Sequence, residues 1–248
     1  MLTDKRILLT GGNSGIGLAI TNTFCNNNAR LVSLYNKNRS GINKLLEQNS
    51  NLKSLVEFYS INLLDETKLD DLLEKILKSD SFDGFIHCVT FPTNRRNLTD
   101  IKWIDIQSHI NLQTKSFFEI LQRILPSMKE KRYGKIISIL TSYVIGAPPK
   151  GIMDYVVGKY SLLGLTKSLA VELGQYGINV NSISPFITNT PLTEKLPSKF
   201  KEITLSQVPL GRLCEPDDVA TAALFLCSTN SNYISGENLV LSGGYTMK

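Results

Sequence analysis

Ile7-Leu8-Leu9-Thr10-Gly11-Gly12-Asn13-Ser14-Gly15-Ile16-Gly17-Leu18-Ala19 opens the 248-residue chain as a strand, a glycine-rich turn and the start of a helix. Gly11 permits a tight turn after the strand. Gly15 lets the backbone approach a phosphate, and Gly17 lets the helix pack closely on the sheet. The helix start aims N–H groups and a positive dipole end at an anion. Such a turn, placed between a strand and an amphipathic helix, suits a dinucleotide pyrophosphate. The residues expected to hold it are Gly11, Asn13, Ser14, Gly15, Ile16 and Gly17.

Outward from this turn, apolar strand-like runs alternate with amphipathic stretches. Strands are expected at Arg6 to Thr10, Arg30 to Leu34, Leu55 to Tyr59, Gly84 to Val89, Lys135 to Leu140, Asn179 to Ile183 and Leu239 to Leu241. Helices are expected from Gly15, Ser40, Asp65, Lys102, Met153 and Glu215. Regular β-α alternation predicts an α/β fold: one Rossmann-type domain over 1–248, a doubly wound parallel sheet with helices on both faces. Between Pro185 and Gly211 four prolines (Pro185, Pro191, Pro197, Pro209) forbid a long uninterrupted helix. This stretch follows a strand end, where open α/β sheets bind ligands. A mobile substrate lid is expected over about 186–210.

Composition narrows the function classes. Hydrophobic content is 42% and net charge is +5, with no dense basic block, so nucleic acid is not an expected partner, whereas a phosphate-bearing cofactor or acidic carrier is compatible. No run approaches the roughly 18 apolar residues of a membrane span. The first residues run straight into a strand, so no signal peptide is expected, and Cys25, Cys88, Cys214 and Cys227 are scattered. A cytoplasmic protein with reduced thiols and no metal site is expected. His87 and His109 lack partners at ligand spacing and read as core or surface histidines.

About 20 residues past the glycine turn, an NAD site typically carries an acid for the ribose 2′-OH. Here the sequence is Leu34-Tyr35-Asn36-Lys37-Asn38-Arg39. A carboxylate would repel a 2′-phosphate, and cations would pair with one. NADP(H) is the expected cofactor, with Asn36 and Lys37 beside it.

Tyr155 and Lys159 stand four residues apart in Tyr155-Val-Val-Gly-Lys-Tyr-Ser-Leu-Leu-Gly. Positions i and i+4 share one helix face, which sets a phenol beside an ammonium. Together with the glycine turn, this pair resembles the short-chain dehydrogenase/reductase family in its classical form. The resemblance covers essentially the whole chain. Gly177-Ile-Asn-Val-Asn-Ser-Ile-Ser-Pro185, Pro209-Leu-Gly-Arg212-Leu-Cys-Glu-Pro216 and Ile234-Ser-Gly-Glu-Asn-Leu-Val-Leu-Ser-Gly243-Gly244 look like its later signatures. The overall pattern is similar to that of 3-oxoacyl-acyl-carrier-protein reductases.

The resemblance implies hydride transfer between nicotinamide and a carbonyl or secondary alcohol. Tyr155 would be the acid/base. Lys159 would bind the nicotinamide ribose and favour the phenolate. Asn111 would support a proton relay, and Pro185, Thr188 and Thr190 would hold the nicotinamide side. Asn62 and Leu63 would meet the adenine, with Cys88 and Val89 supplying backbone contacts. An ammonium about 4 Å from the phenol would favour its ionised form by up to about 4 kcal/mol at an effective dielectric of about 20, opposed by desolvation. A fall of the Tyr155 pKa by roughly two or three units is a plausible net result.

Three departures from the family pattern stand out. Asn-Asn-Ala-Gly is replaced by His87-Cys88-Val89-Thr90, and Pro-Gly by Pro185-Phe186. The run from Gly134 to Gly146 is one residue longer than the commonest form. Counting from the strand start selects Thr141 as the catalytic hydroxyl; counting back from Tyr155 selects Ser142, which is preferred here. Ser138 reads as a strand serine. The stripe Trp103, Ile106, Ile110, Phe117, Phe118, Leu121 has helical spacing and reads mostly as core.

The family also implies a homotetramer or homodimer. The substrate would be a small-molecule or carrier-bound carbonyl compound, selected by Phe91 to Asp100 and Ile187 to Ser206. Within the first segment Arg95 and Arg96 would meet an anionic substrate or lie solvated. Lys129, Lys131 and Arg132 read first as cations at a helix end and second as a landing patch for an acidic carrier. The rival readings are an NAD-dependent sugar or steroid dehydrogenase, and a cofactor-binding scaffold without turnover.

Overall fold

A computed structural model of the chain describes residues 2–194 and 196–247. The first half alternates β1 (Arg6–Thr10), α1 (Gly15–Cys25), β2 (Arg30–Tyr35), α2 (Ser40–Gln48), β3 (Val56–Ser60) and α3 (Glu66–Leu77). The second half continues β4 (Gly84–His87), α4 (Trp103–Ile110), α5 (Ser116–Lys131), β5 (Gly134–Ile139), α6 (Met153–Leu173) and β6 (Ile178–Pro185). Short helices α7 (Pro191–Glu194) and α8 (Ser198–Gln207) precede α9 (Pro216–Cys227) and β7 (Asn238–Leu241).

The seven strands form one sheet in the order β3-β2-β1-β4-β5-β6-β7, and every pairing is parallel. Every residue of β1 and of β5 is buried, as expected of strands covered on both faces. Successive side chains alternate between two cores. Leu8, Phe85 and Ile136 join α3, α5 and α6 through Leu69, Leu73, Phe117, Ile120 and Leu162. Ile7, Leu9, Ile86 and Ile137 join α1 and α9 through Ile20, Phe24, Val219 and Ala223. From β1 the chain runs outward to β2 and β3, then returns to place β4 on the other side of β1. A crevice opens at that reversal, above the carboxyl ends of the strands.

The elements match the sequence reading with three physical adjustments. β4 ends at His87, which frees Cys88 and Val89 from the strand ladder. The stretch after Pro185 is helical in two pieces: Pro191 opens α7 and Pro197 caps α8, so the prolines mark helix starts. The helix expected from Lys102 is interrupted, because Asn111–Lys115 forms a π turn between α4 and α5. That interruption rotates the apolar stripe out of register. Phe117 and Leu121 are buried, Ile106 and Ile110 are half-buried, and Trp103 and Phe118 are exposed, so less of the stripe is core than its spacing predicts. Among the described residues no helix is long and apolar enough to cross a membrane.

Candidate active site

The glycine turn forms a cradle at the crevice floor. Gly11 has φ +78, and a Cβ there would overlap the Cys88 carbonyl oxygen. A Cβ on Gly17 would overlap the Gly11 carbonyl oxygen, so α1 lies against β1 only because Gly17 has none. The first turn of α1 carries no acid, and Ser14 makes no side-chain cap. The N–H groups at this terminus are therefore unchallenged by a carboxylate, and the donor set fits an anionic phosphate.

One half of the crevice is walled by Gly11, Asn13, Ser14, Gly15, Ile16, Gly17, Asn36, Asn62, Leu63, Cys88, Val89 and Thr190. Leu34, Tyr35, Ile61 and Leu64 complete its far end, and no carboxylate is among them. The second half is walled by Cys88, Val89, Thr141, Tyr155, Lys159, Pro185, Thr188 and Thr190. Of the residues expected from sequence, the fold thus brings all but three to the crevice walls. Lys37 is exposed on the β2–α2 loop beside Asn36. Asn111 is half-buried at the head of the π turn. Ser142 is the third.

The fold separates the two candidate hydroxyls. Thr141 lines the crevice with Tyr155, and its hydroxyl draws the phenol pKa down. Ser142 is buried, and its Oγ hydrogen-bonds no other described residue. Thr141 has extended backbone, φ −157 and ψ 148, where neighbouring side chains point to opposite sides. One of the pair must face the crevice and the other the core. Counting back from Tyr155 misleads because the surplus residue lies in the loop between the two. Ser138 faces inward on β5 and shares a 2.9 Å hydrogen bond with Thr166.

Tyr155 and Lys159 share a face of α6, with Lys159 Nζ 5.8 Å from the Tyr155 ring centroid. Nζ donates to the carbonyl oxygen of Ile139 at 2.8 Å and to that of Val89 at 3.5 Å. Burial lowers the Lys159 pKa to about 8. Burial also raises the Tyr155 pKa to about 12, with the Thr141 hydrogen bond pulling the other way. The expected fall of the phenol pKa is not realised. Desolvation dominates, and the ammonium hydrogen-bonds two carbonyls and not the phenolic oxygen. Burial thus moves the Tyr155 phenol further from ionisation than a free tyrosine.

The substituted segments acquire structural explanations. His87 is packed edge-on against Phe85 and Phe117. Its Nδ1 meets Thr10 Oγ1 at 2.9 Å, and the same hydroxyl accepts from the Cys88 N–H at 3.2 Å. This ties β4 to β1 at the reversal point. Burial takes the His87 pKa down to about 3, so it is a neutral core residue. Phe186 stacks on Tyr245 with centroids 4.2 Å apart and meets Tyr143 edge-on at 6.2 Å. The bulky side chain becomes part of an apolar wall. Tyr143, Ile152, Leu192, Leu196 and Phe200 extend that wall. Leu192, Leu196 and Phe200 fall within the Ile187 to Ser206 segment expected to select the substrate, whereas Tyr143 and Ile152 had no sequence signal because they join that wall only in the folded chain.

The family described as enoyl-(acyl carrier protein) reductase matches residues 11–246. The chain is 32% identical over 244 residues to the 3-oxoacyl-acyl-carrier-protein reductase FabG of Thermotoga maritima, covering 98% of each chain. It is 32% identical to the FabG of Rickettsia prowazekii, covering 99% of this chain and 98% of that one. It is 31% identical to a 3alpha-hydroxysteroid dehydrogenase of Mediterraneibacter gnavus, covering 98% and 97%. Among solved structures, that of levodione reductase superposes with a TM-score of 0.90 at 23% identity, covering 98% of both chains.

Proposed function

The chain belongs to the short-chain dehydrogenase/reductase family, and from that premise we propose that it is an NADPH-dependent carbonyl reductase. One observation carries the reading: a protonated phenol, a hydroxyl and an ammonium, from Tyr155, Thr141 and Lys159, converge at one end of a crevice whose other end is a glycine cradle.

Gly11 and Asn13 to Gly17 would hold the pyrophosphate, Asn62 and Leu63 the adenine, and Pro185, Thr188 and Thr190 the nicotinamide side. Asn36 and Lys37 would meet the 2′-phosphate. The choice of NADP(H) rests on the absence of any carboxylate at the adenine end, where Tyr35 and Asn36 close β2. When bound, the cofactor supplies the hydride; the protein supplies placement and proton transfer. Tyr155 Oη donates its proton to the carbonyl oxygen as charge develops there, and Thr141 Oγ1 hydrogen-bonds the same oxygen. Lys159 stabilises the phenolate left behind and binds the nicotinamide ribose. Asn111 supports return of a proton to Tyr155; π turns recur at functional sites. A phenol protonated at neutral pH favours the reductive direction.

The apolar wall suits a carbonyl compound with a hydrocarbon or aromatic body, and the relatives named above as 3-oxoacyl reductases support a 3-oxoacyl thioester. The carrier-docking reading is weakened by the cations themselves. Lys129 Nζ lies 4.5 Å from the Tyr176 ring centroid, and Arg132 donates to the Gln175 carbonyl at 2.8 Å.

The deciding experiment is NADPH oxidation with ketones and 3-oxoacyl thioesters. Tyr155→Phe should cut turnover by about 10²-fold or more while NADPH affinity stays within a few-fold. Full activity in that variant overturns the assignment, and a strong preference for NADH overturns the cofactor argument.

A further inference from the structure

Arg95 and Arg96 are adjacent in sequence and have opposite fates in the fold. Arg96 is fully engaged: it pairs with Asp105 at 2.9 Å and with Asp154 at 2.5 Å, and its N–H donates to the Gly151 carbonyl at 2.9 Å. Asp154 immediately precedes Tyr155 and is buried. These bonds pin the loop after β4 to the start of α6. Arg95 is thereby held at the crevice rim, exposed to solvent yet part of the wall. Its guanidinium carbon stands 5.1 Å from the Phe200 ring centroid, so the charge rests on the aromatic wall.

Among the described residues, the substrate half of the crevice has two charged side chains, Arg95 and Lys159, and no carboxylate. Lys159 donates to the Ile139 and Val89 carbonyls and belongs to the proposed catalytic group with Tyr155. Arg95 makes no ion pair among the described residues, whereas its neighbour makes two. The same half of the crevice carries an apolar wall built from Tyr143, Ile152, Leu192, Leu196 and Phe200. Burial pushes the Tyr143 phenol up while the Arg95 charge pulls it down, so the guanidinium field reaches into the crevice. A planar guanidinium fork left unpaired at the end of an apolar channel matches a carboxylate or phosphate.

We propose that Arg95 is a specificity-determining residue that binds an anionic group, carboxylate or phosphate, at the end of the substrate's apolar body remote from the carbonyl. The proposal rests on the reductase reading above and deepens it. Two sources share this chemistry: the phosphate of a pantetheine arm and the carboxylate of a free oxo acid.

Two matched substrate pairs distinguish them. One is acetoacetyl-pantetheine with and without its 4′-phosphate; the other is an aryl 4-oxo acid and its methyl ester. The readout is the anionic-to-neutral ratio of kcat/KM in wild type, Arg95→Gln and Arg95→Lys. The wild type is expected to favour the anionic member of one pair by about tenfold or more. Arg95→Gln should collapse that ratio towards one, and Arg95→Lys should retain part of it. The pair that responds identifies the source. A wild type without preference in either pair, or a preference that survives in Arg95→Gln, overturns the proposal. If no compound is turned over, the reductase reading fails separately, and calorimetric titration of the oxo acid decides Arg95. Tighter binding to wild type than to Arg95→Gln upholds the proposal. Equal affinity, or no binding to wild type, overturns it. Matching NADPH titrations of both proteins control for folding.

Discussion

Thr141 and Ser142 both carry a hydroxyl, and the turn after β5 gives them opposite surroundings. Thr141 meets the phenol, while Ser142 buries an oxygen that no described residue satisfies. Thr141→Ala should therefore lower kcat/KM for reduction by about 10²- to 10³-fold, the usual loss when one donor to a developing oxyanion is removed. Ser142→Ala should leave the kinetics within about twofold and raise the thermal midpoint slightly, because an unpartnered buried hydroxyl costs free energy. Steady-state kinetics and thermal melts of the two variants check both halves. Lys159 sets a pH dependence at the same scale. Its ammonium is charged below about pH 8 and lost above it. In the proposed mechanism the charged form stabilises the emerging phenolate. The kcat/KM for reduction should therefore be level near neutrality and fall by about tenfold per pH unit above about 8. A profile rising through that region would contradict the role given to Lys159.

Among the elements, α1 depends on Gly17 for its seat. Any side chain there meets the Gly11 carbonyl oxygen, which belongs to backbone and cannot swing aside. Gly17→Ala should push α1 off β1, weaken NADPH binding by about tenfold or more and lower the thermal midpoint, measured by fluorescence titration and melting. The segment joining α4 and α5 is another case. Its apolar spacing predicts one continuous amphipathic helix, and the π turn at Asn111–Lys115 breaks that continuity. Gly158 of α6 lies opposite this region, where a Cβ would stand 3.0 Å from the His109 Cβ. The close crossing of α4 and α6 is a tertiary fact with no local signature around Asn111.

On the scale of the whole molecule, α4, α5 and α6 leave large apolar side chains in water. Trp103 is 69% exposed and Val171 83%, with Ile104, Phe118 and Tyr160 also exposed. Apolar groups gathered on packed neighbouring helices are the mark of an association surface. We expect the chain to sediment as a homodimer or homotetramer through these helices. Trp103→Glu combined with Val171→Glu should shift it towards the monomer in analytical ultracentrifugation. A monomeric wild type at micromolar concentration would refute this.

The glycine turn, the order of strands and helices and the Tyr155–Lys159 pair were legible in the chain because each rests on local rules, whereas the other expected wall residues came from the family resemblance. Glycine spacing fixes a turn, alternation fixes a parallel sheet, and a four-residue interval fixes a shared helix face. Three things needed the folded molecule. The choice of Thr141 over Ser142 depended on which side of an extended segment faces the crevice, and loop length hid that. The pKa of the Tyr155 phenol depended on burial, which pushes it up where the helix spacing from Lys159 predicts a fall. The division of labour between Arg95 and Arg96 depended on where Asp105 and Asp154 came to lie. Each is a contest between groups distant in sequence, and distance in space is what the sequence alone leaves open.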